Sequence, residues 1–170
     1  MRHCSRVLLL ALACVTALAA GAGGSAAQPS GRAGAVITVS CRDANLREPN
    51  GVQRRVILGV VSVPPVYLAQ VRHDKQDGWA YSTKAGITIQ AGNRPVRISV
   101  PKAWRKRVAI SFGVGGPLSD ERFEACSPPP TYWNGYVGSF SVSAPACVPL
   151  LIQVGSESRT VRFGIGRRCS

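Results

Sequence analysis

The chain has 170 residues, with 21 Lys and Arg against 8 Asp and Glu, which gives a formal net charge of +13. A chain of this length forms one domain and can bury a hydrophobic core without a structural metal. The 18 Gly and 12 Pro residues are too few for collagen or for a low-complexity linker protein. Outside the N-terminal segment, no apolar stretch reaches the ~20 residues of a membrane-spanning helix.

The N-terminal segment has the order of regions that is typical of a secretory signal peptide. Arg2 and Arg6 supply positive charge, Val7–Ala20 is apolar, and small residues lead up to Ala27. We therefore predict cleavage after Ala27 and export of the protein. The alternatives are an uncleaved membrane anchor and lipidation at Cys14, where the preceding residues partly resemble a lipobox.

The predicted organisation is a signal peptide over residues 1–27, a flexible leader over 28–34 and a single domain over 35–170. The protein is then secreted or extracytoplasmic, with association with the cell wall as a more specific expectation. Removal of the signal peptide leaves a net charge of +11. We expect no membrane span in the mature chain.

Four cysteines remain after the signal peptide, namely Cys41, Cys126, Cys147 and Cys169. An even number of cysteines in an exported chain predicts two disulfides. No C-x-x-C spacing occurs and His73 is the sole mature histidine, so no zinc site is expected. Sequence leaves three pairings open, of which we favour Cys126–Cys147 as a local bridge and Cys41–Cys169 between the first strand and the C-terminus.

The apolar residues of the mature chain favour strands. After the signal peptide there are 18 Val and 8 Ile against 6 Leu, and β-branched side chains suit a pleated surface. Apolar and polar residues alternate with period two, which is typical of strands with one buried face. In chain order the predicted strands are Ala35–Cys41, Val56–Val63, Val66–Arg72, Ala85–Ala91, Val96–Val100, Val108–Val114, Tyr136–Ser143, Val148–Val154 and Val161–Ile165.

Turn residues separate these segments, and no stretch of helical length has a period of 3.6 residues. Gly92-Asn93-Arg94 and Gly155-Ser156-Glu157-Ser158 are each predicted to close a hairpin. About nine short strands with turns between them predict an all-β fold, an antiparallel β-sandwich clasped by disulfides. A β-barrel is the alternative.

The residues that could carry catalysis are few. His73 precedes Asp74, but adjacent residues of a strand point to opposite faces, so the pair does not suit a catalytic triad. Asp120, Glu121 and Glu124 could form a carboxylate pair for glycoside hydrolysis, yet they share one polar segment that we predict to be a solvated loop. We therefore predict no catalytic residue and no cofactor or metal.

Two basic segments stand out near the strands. Lys102, Arg105, Lys106 and Arg107 form a dense run around Trp104, and guanidinium groups pair bidentately with oxyanions. Arg167 and Arg168 flank Cys169 and are candidates for the same surface. These six cations are the predicted contacts to a polyanion, and the alternative is a charged connection between strands.

A stiff Pro-rich segment follows Cys126 and ends in aromatic residues and an Asn-Gly pair, which we expect to turn. Tyr132 and Trp133 lie at its end. We interpret the segment as a crossover between sheets, or as an exposed aromatic recognition loop.

Several short motifs occur along the mature chain, namely Tyr81–Ile87, Val100–Arg105, Val108–Ser111, Trp133–Tyr136, Ala146–Leu150 and Val161–Cys169. Together they resemble a group of small exported proteins of high-GC actinobacteria to which no activity is assigned. The resemblance covers roughly residues 35–169 and implies compartment and lineage, with no catalytic residue to carry over.

The sequence thus predicts an exported, non-enzymatic binding or structural module of the cell envelope or extracellular space. Its positive charge attracts polyanions. Anionic envelope polymers or lipid headgroups are the expected partners, and nucleic acid is not expected for an exported protein. The alternatives are a small secreted hydrolase that uses His73 or the acidic segment, and a protease inhibitor that presents residues 128–133.

Overall fold

Strands account for nearly all of the regular secondary structure in this computed structural model. It describes residues 36–48, 55–73, 78–92, 94–113, 115–127 and 132–170, so the predicted signal peptide and leader lie outside the described residues. The strands are β1 (Ile37–Val39), β2 (Leu46–Glu48), β3 (Arg55–Ile57), β4 (Val61–Val63), β5 (Tyr67–Leu68), β6 (Arg72–His73), β7 (Tyr81–Gln90), β8 (Val96–Ser99), β9 (Val108–Phe112), β10 (Asp120–Phe123), β11 (Trp133–Val142), β12 (Ala146–Val154) and β13 (Glu157–Ile165). Single 3-10 turns occur at Cys41–Asp43 and Lys102–Trp104.

The strands form two separate sheets. Sheet A has the order β1-β10-β8-β12-β13-β5, in which the β1–β10 and β13–β5 pairs are parallel and the others antiparallel. Sheet B has the order β2-β11-β7-β4-β3, and β9 pairs with β11 while β6 pairs with β7. The predicted β-sandwich is therefore confirmed.

The core lies between the two sheets and consists of their alternate, inward-facing side chains. Phe140 of sheet B packs against Phe163 of sheet A, with ring centroids 5.4 Å apart. Tyr136 of sheet B meets Phe123 of sheet A edge-on at 4.9 Å. All four rings are at most 1% exposed, so each contributes on the order of 2–3 kcal/mol of apolar burial.

Three local expectations were wrong. The hairpin at Gly92 does not form, because β7 belongs to sheet B and β8 to sheet A. The predicted single strand Val56–Val63 is a hairpin of β3 and β4, which reverses where Leu58 and Gly59 adopt positive φ. The segment predicted as the strand Val66–Arg72 divides between β5 of sheet A and β6 of sheet B. By contrast, the predicted hairpin at Gly155 is confirmed, with Val154 opposite Glu157.

Both predicted disulfides are present, but their pairing differs from the one that we favoured. Cys41 bonds to Cys126, and Cys147 bonds to Cys169. The first pairing follows from the parallel β1–β10 ladder, in which Val39 lies opposite Phe123. The segments that follow these two residues run in the same direction and carry Cys41 and Cys126. The second follows from the C-terminal tail, which folds back over β13 so that its last cysteine meets the start of β12.

Candidate functional site

The basic run Lys102–Arg107 is partly committed to contacts within the fold. Nε of Arg105 donates to the Val100 carbonyl at 3.1 Å, and the guanidinium lies 3.7 Å from the Asp120 carboxylate. The Arg107 guanidinium stacks over the Trp104 ring at 4.2 Å from its centroid. Lys102 and Lys106 are exposed. Contact of this run with polyanions stays a prediction. Lys102 and Lys106 could bind a polyanion without breaking the contacts of Arg105 and Arg107.

The second basic segment, Arg167-Arg168, lies at the same end of the sandwich as the run Lys102–Arg107. The amide of Ser143 donates to the Arg107 carbonyl, and the nearby Pro145 packs close to Gly166. Arg167 and Arg168 follow directly and are exposed. The connection 143–145 therefore separates the two basic segments.

The acidic segment is not the solvated loop that we predicted. Asp120 and Glu121 belong to β10 and are 2% and 0% exposed, whereas Glu124 is exposed. Two hydrogen bonds from Arg97, at 2.8 and 2.5 Å, cover the Asp120 carboxylate on the outer side of sheet A. Sequence missed this strand because its charged residues are buried through tertiary contacts.

Glu121 points in the opposite direction, into the core. Its Oε1 accepts a hydrogen bond from the amide of Phe112 at 2.9 Å, so it joins β10 of sheet A to the end of β9 in sheet B. Its Oε2 is buried without a hydrogen-bond partner among the described residues. Desolvation raises the pKa of Glu121 to about 8; the Phe112 hydrogen bond opposes this and the charge of Asp120 adds to it. This carboxyl is thus largely neutral at pH 7 and subtracts little from the positive charge of the protein.

His73 does not meet the acidic residues. It belongs to β6 of sheet B and stacks on the Tyr81 ring, with centroids 4.5 Å apart, while Asp120 and Glu121 lie in sheet A. The described acidic residues and His73 therefore do not form one site, and His73 instead lies on the wall of the groove described below.

The aromatic end of the Pro-rich segment is only half exposed. Residues 128–131 lie outside the described residues, Tyr132 is 39% exposed and Trp133 is 6% exposed. Trp133 and the following Asn-Gly pair belong to β11, which is held by β2 on one side and β7 on the other. The expectation of a turn at Asn-Gly and of an exposed Trp133 was therefore wrong, because the strand begins earlier than its alternation indicated.

Sequence reasoning did not find a groove of about 730 Å³ on the outer face of sheet B. We call it the serine groove. Its floor consists of outward-facing residues of three neighbouring strands, and its walls are parts of the segments 67–73 and 115–117. The floor residues are Ser82 and Lys84 of β7, Ser111 of β9, and Ser139 and Ser141 of β11.

The strand register explains how these residues converge. Lys84 lies opposite Ser139, which in turn lies opposite Ser111, and a second row contains Arg72, Ser82 and Ser141. Directly opposed residues have Cβ atoms about 4.5–5.5 Å apart, so one small anion can reach several hydroxyls and a cation at once.

The wall of the groove is fixed by a buried hydrogen bond. Thr83 is 5% exposed, and its hydroxyl donates to the Gln70 carbonyl at 2.6 Å. This contact holds the segment between β5 and β6 against β7. At the rim, the Arg168 guanidinium lies over the ring of Tyr67, a lining residue, at 4.5 Å from the ring centroid.

The electrostatics of the groove have one sign. Arg72 and Lys84 line it, and no carboxylate occurs among its described lining residues. The serine hydroxyls are both donors and acceptors. The Ser111 hydroxyl donates its proton to the Gly115 carbonyl at 3.1 Å, so the donors for a bound anion are the hydroxyls of Ser82, Ser139 and Ser141. The groove is therefore chemically suited to an oxyanion.

Comparisons with known proteins give little guidance. No family model matches the chain, and no curated protein matches it. Among solved structures, domains 4 and 5 of the S-layer protein SbsC are similar at a TM-score of 0.35 and 11% sequence identity. That match covers 64% of this chain and 52% of the other, and a likeness at this level supports no conclusion on function.

Two further findings concern the described residues alone. They contain no helix with the length and apolarity that a bilayer crossing requires. They also contain no cluster of three or more His, Cys, Asp or Glu side chains in an arrangement that could hold a metal ion.

Proposed function

We propose that this protein is an exported, non-enzymatic binding module that holds anionic groups of cell-surface material in the serine groove. The observation that carries the proposal is the composition of the groove, which combines hydroxyl side chains with Arg72 and Lys84 and has no carboxylate among its described lining residues. Arg168 at the rim extends the positive surface.

The disulfides support a location outside the cytoplasm, because such bonds persist in oxidising compartments. The overall positive charge supports the encounter with anionic material, since it steers anions toward the surface. The groove then supplies what diffuse charge lacks, namely hydroxyl donors at fixed spacing on a rigid sheet.

Two double variants that each remove two cations distinguish binding in the groove from binding at the basic run. Arg72→Gln with Lys84→Gln removes two cations from the groove, and Lys102→Gln with Lys106→Gln removes two exposed cations from the run. Affinity for heparin, used as a soluble polyanion, is measured by titration at 0.15 M salt, where charges are screened beyond ~8 Å.

We expect the groove variant to bind at least tenfold more weakly than the wild type, which corresponds to about 1.4 kcal/mol. The run variant should lose markedly less. Equal losses would mean that binding depends on total charge alone, and a larger loss in the run variant would move the site to Lys102–Arg107. Either result contradicts the proposal.

A further inference from the structure

An apolar cleft lies on the same face of sheet B as the serine groove. Beyond Lys84, the outward positions of β7 and β11 are mostly apolar or glycine: Gly86 lies opposite Val137, and Gly135 lies opposite Leu46 of β2. Thr88 of β7, also opposite Gly135, is the polar exception, and its hydroxyl is buried without a hydrogen-bond partner among the described residues. These residues line a cavity of about 230 Å³. Leu46 and Val137 are 52% and 53% exposed, so two large apolar side chains flank the cleft and face solvent.

The two surfaces are close enough for one small molecule to contact both. Alternate residues of a strand lie about 6.7 Å apart on one face, so Lys84 at the end of the groove is one such step from Gly86 at the start of the cleft. Because Gly86 has no side chain, the backbone of β7 opposite Val137 is not covered on this face. An unbranched chain can therefore lie directly on the sheet there.

The chemistry of the two halves differs, and this difference indicates the ligand. A free anionic polymer satisfies Lys84 and the serines but leaves the apolar side chains in water. An uncharged apolar ligand covers the cleft but leaves the cations unpaired. A molecule with an anionic head and an apolar chain complements both halves.

We propose that the outer face of sheet B binds a single anionic lipid, with its headgroup in the serine groove beside Lys84 and its acyl chain in the apolar cleft. This inference rests on the proposed function and names the ligand class for that site. The headgroup contributes charge-assisted hydrogen bonds. The acyl chain covers Leu46 and Val137, so apolar surface of both the lipid and the protein is removed from water.

Three probes separate the two contributions in calorimetric titrations below the micelle concentration of the lipids. Lysophosphatidylglycerol carries an anionic head and a chain, lysophosphatidylcholine carries the same chain with a zwitterionic head, and glycerophosphoglycerol carries the anionic phosphodiester head alone. We expect the first to bind at least tenfold more tightly than either of the others. Its binding should show a negative heat-capacity change, which is the mark of apolar burial.

Gly86→Val fills the cleft without disturbing the fold. A Cβ at position 86 would meet only the Tyr136 carbonyl oxygen, at an ordinary 3.5 Å, and valine suits a strand better than glycine. This variant should weaken both lysolipids at least tenfold and leave heparin affinity unchanged. Val137→Asn should do the same, whereas Val66→Asn, a control at a valine of similar exposure outside the cleft, should not.

Lys84→Gln should reduce the affinity for lysophosphatidylglycerol to that for lysophosphatidylcholine. Equal binding of the two lysolipids by the wild type, or undiminished lipid binding by Gly86→Val, would overturn the lipid assignment. Binding to anionic vesicles without binding to the monomeric lipid would overturn it as well. Because heparin affinity is measured separately on the same variants, failure of the lipid assignment is distinguishable from failure of the groove as an anion site.

Discussion

The buried carboxyl of Glu121 makes the stability of the fold depend on pH in a specific direction. Its pKa is about 8 in the folded protein against an ordinary value of 4.5, chiefly because burial disfavours the charged form. Below pH 4.5 the carboxyl is protonated in both states and has no effect on stability. Between pH 4.5 and 8 the unfolded chain loses the proton while the folded protein retains it, so the free energy of unfolding falls as pH rises.

The size of this effect follows from the two pKa values. Each pKa unit corresponds to 1.36 kcal/mol, so the destabilisation reaches about 3 kcal/mol at pH 7 and about 5 kcal/mol above pH 8. Glu121→Gln keeps the shape of the side chain and an acceptor for the Phe112 amide, but it cannot ionise. The free energy of unfolding of this variant, relative to the wild type, should therefore increase by about 4 kcal/mol between pH 4 and pH 8.

Urea unfolding monitored by circular dichroism, with the disulfides intact, measures this difference at several pH values. Glu124→Gln is the matched control, because this neighbouring carboxyl is exposed and its removal should leave the pH profile nearly parallel to that of the wild type. If Glu121→Gln also gave a profile parallel to the wild type, the carboxyl would be solvated in the folded protein and its placement in the core would be wrong.

Two further predictions concern packing and crosslinks. Gly138→Ala should cost about 3 kcal/mol of stability, because a Cβ there would overlap the Ser111 carbonyl; Gly116→Ala, where nothing lies within 4 Å, should be nearly neutral in the same urea titration. Loss of the Cys41–Cys126 bridge should destabilise more than loss of Cys147–Cys169, since their sequence separations of 85 and 22 correspond to about 4.6 and 3.4 kcal/mol in the chain-entropy model. Variants with both cysteines of one bridge changed to serine test this order, and equal losses of stability would contradict it. Non-reducing peptide mapping tests the pairing itself, which a Cys41–Cys169 peptide would contradict.

Sequence predicted the fold class because period-two alternation survives wherever one face of a strand is buried. Val96 and Ile98 of β8, for example, are both 1% exposed while Arg97 between them faces outward. The same criterion failed for β10, where Asp120 and Glu121 are charged and yet buried. Their burial depends on Arg97 and on the Phe112 amide, which come from other strands and leave no local signal.

The candidate site could not be predicted for a related reason. The alternation of Ser82 with Lys84 in β7, and of Ser139 with Ser141 in β11, is visible in the sequence and indicates polar outward faces. Which strands are neighbours, and in which register, is set by the topology of sheet B. Only that register brings Ser111 of β9 to the same surface. The Cys41–Cys126 pairing was missed for the same reason, since it follows from the parallel β1–β10 ladder.

The central claim is that anions bind in the serine groove, and chemical-shift mapping tests it most directly. Titration of the ¹⁵N-labelled protein with a heparin-derived oligosaccharide reports which backbone amides sense the bound anion. We predict the largest shifts at Ser82, Lys84 and Ser139, with small shifts over Lys102–Arg107. Shifts concentrated in Lys102–Arg107, or spread evenly over the exposed cations of both sheets, would contradict the claim.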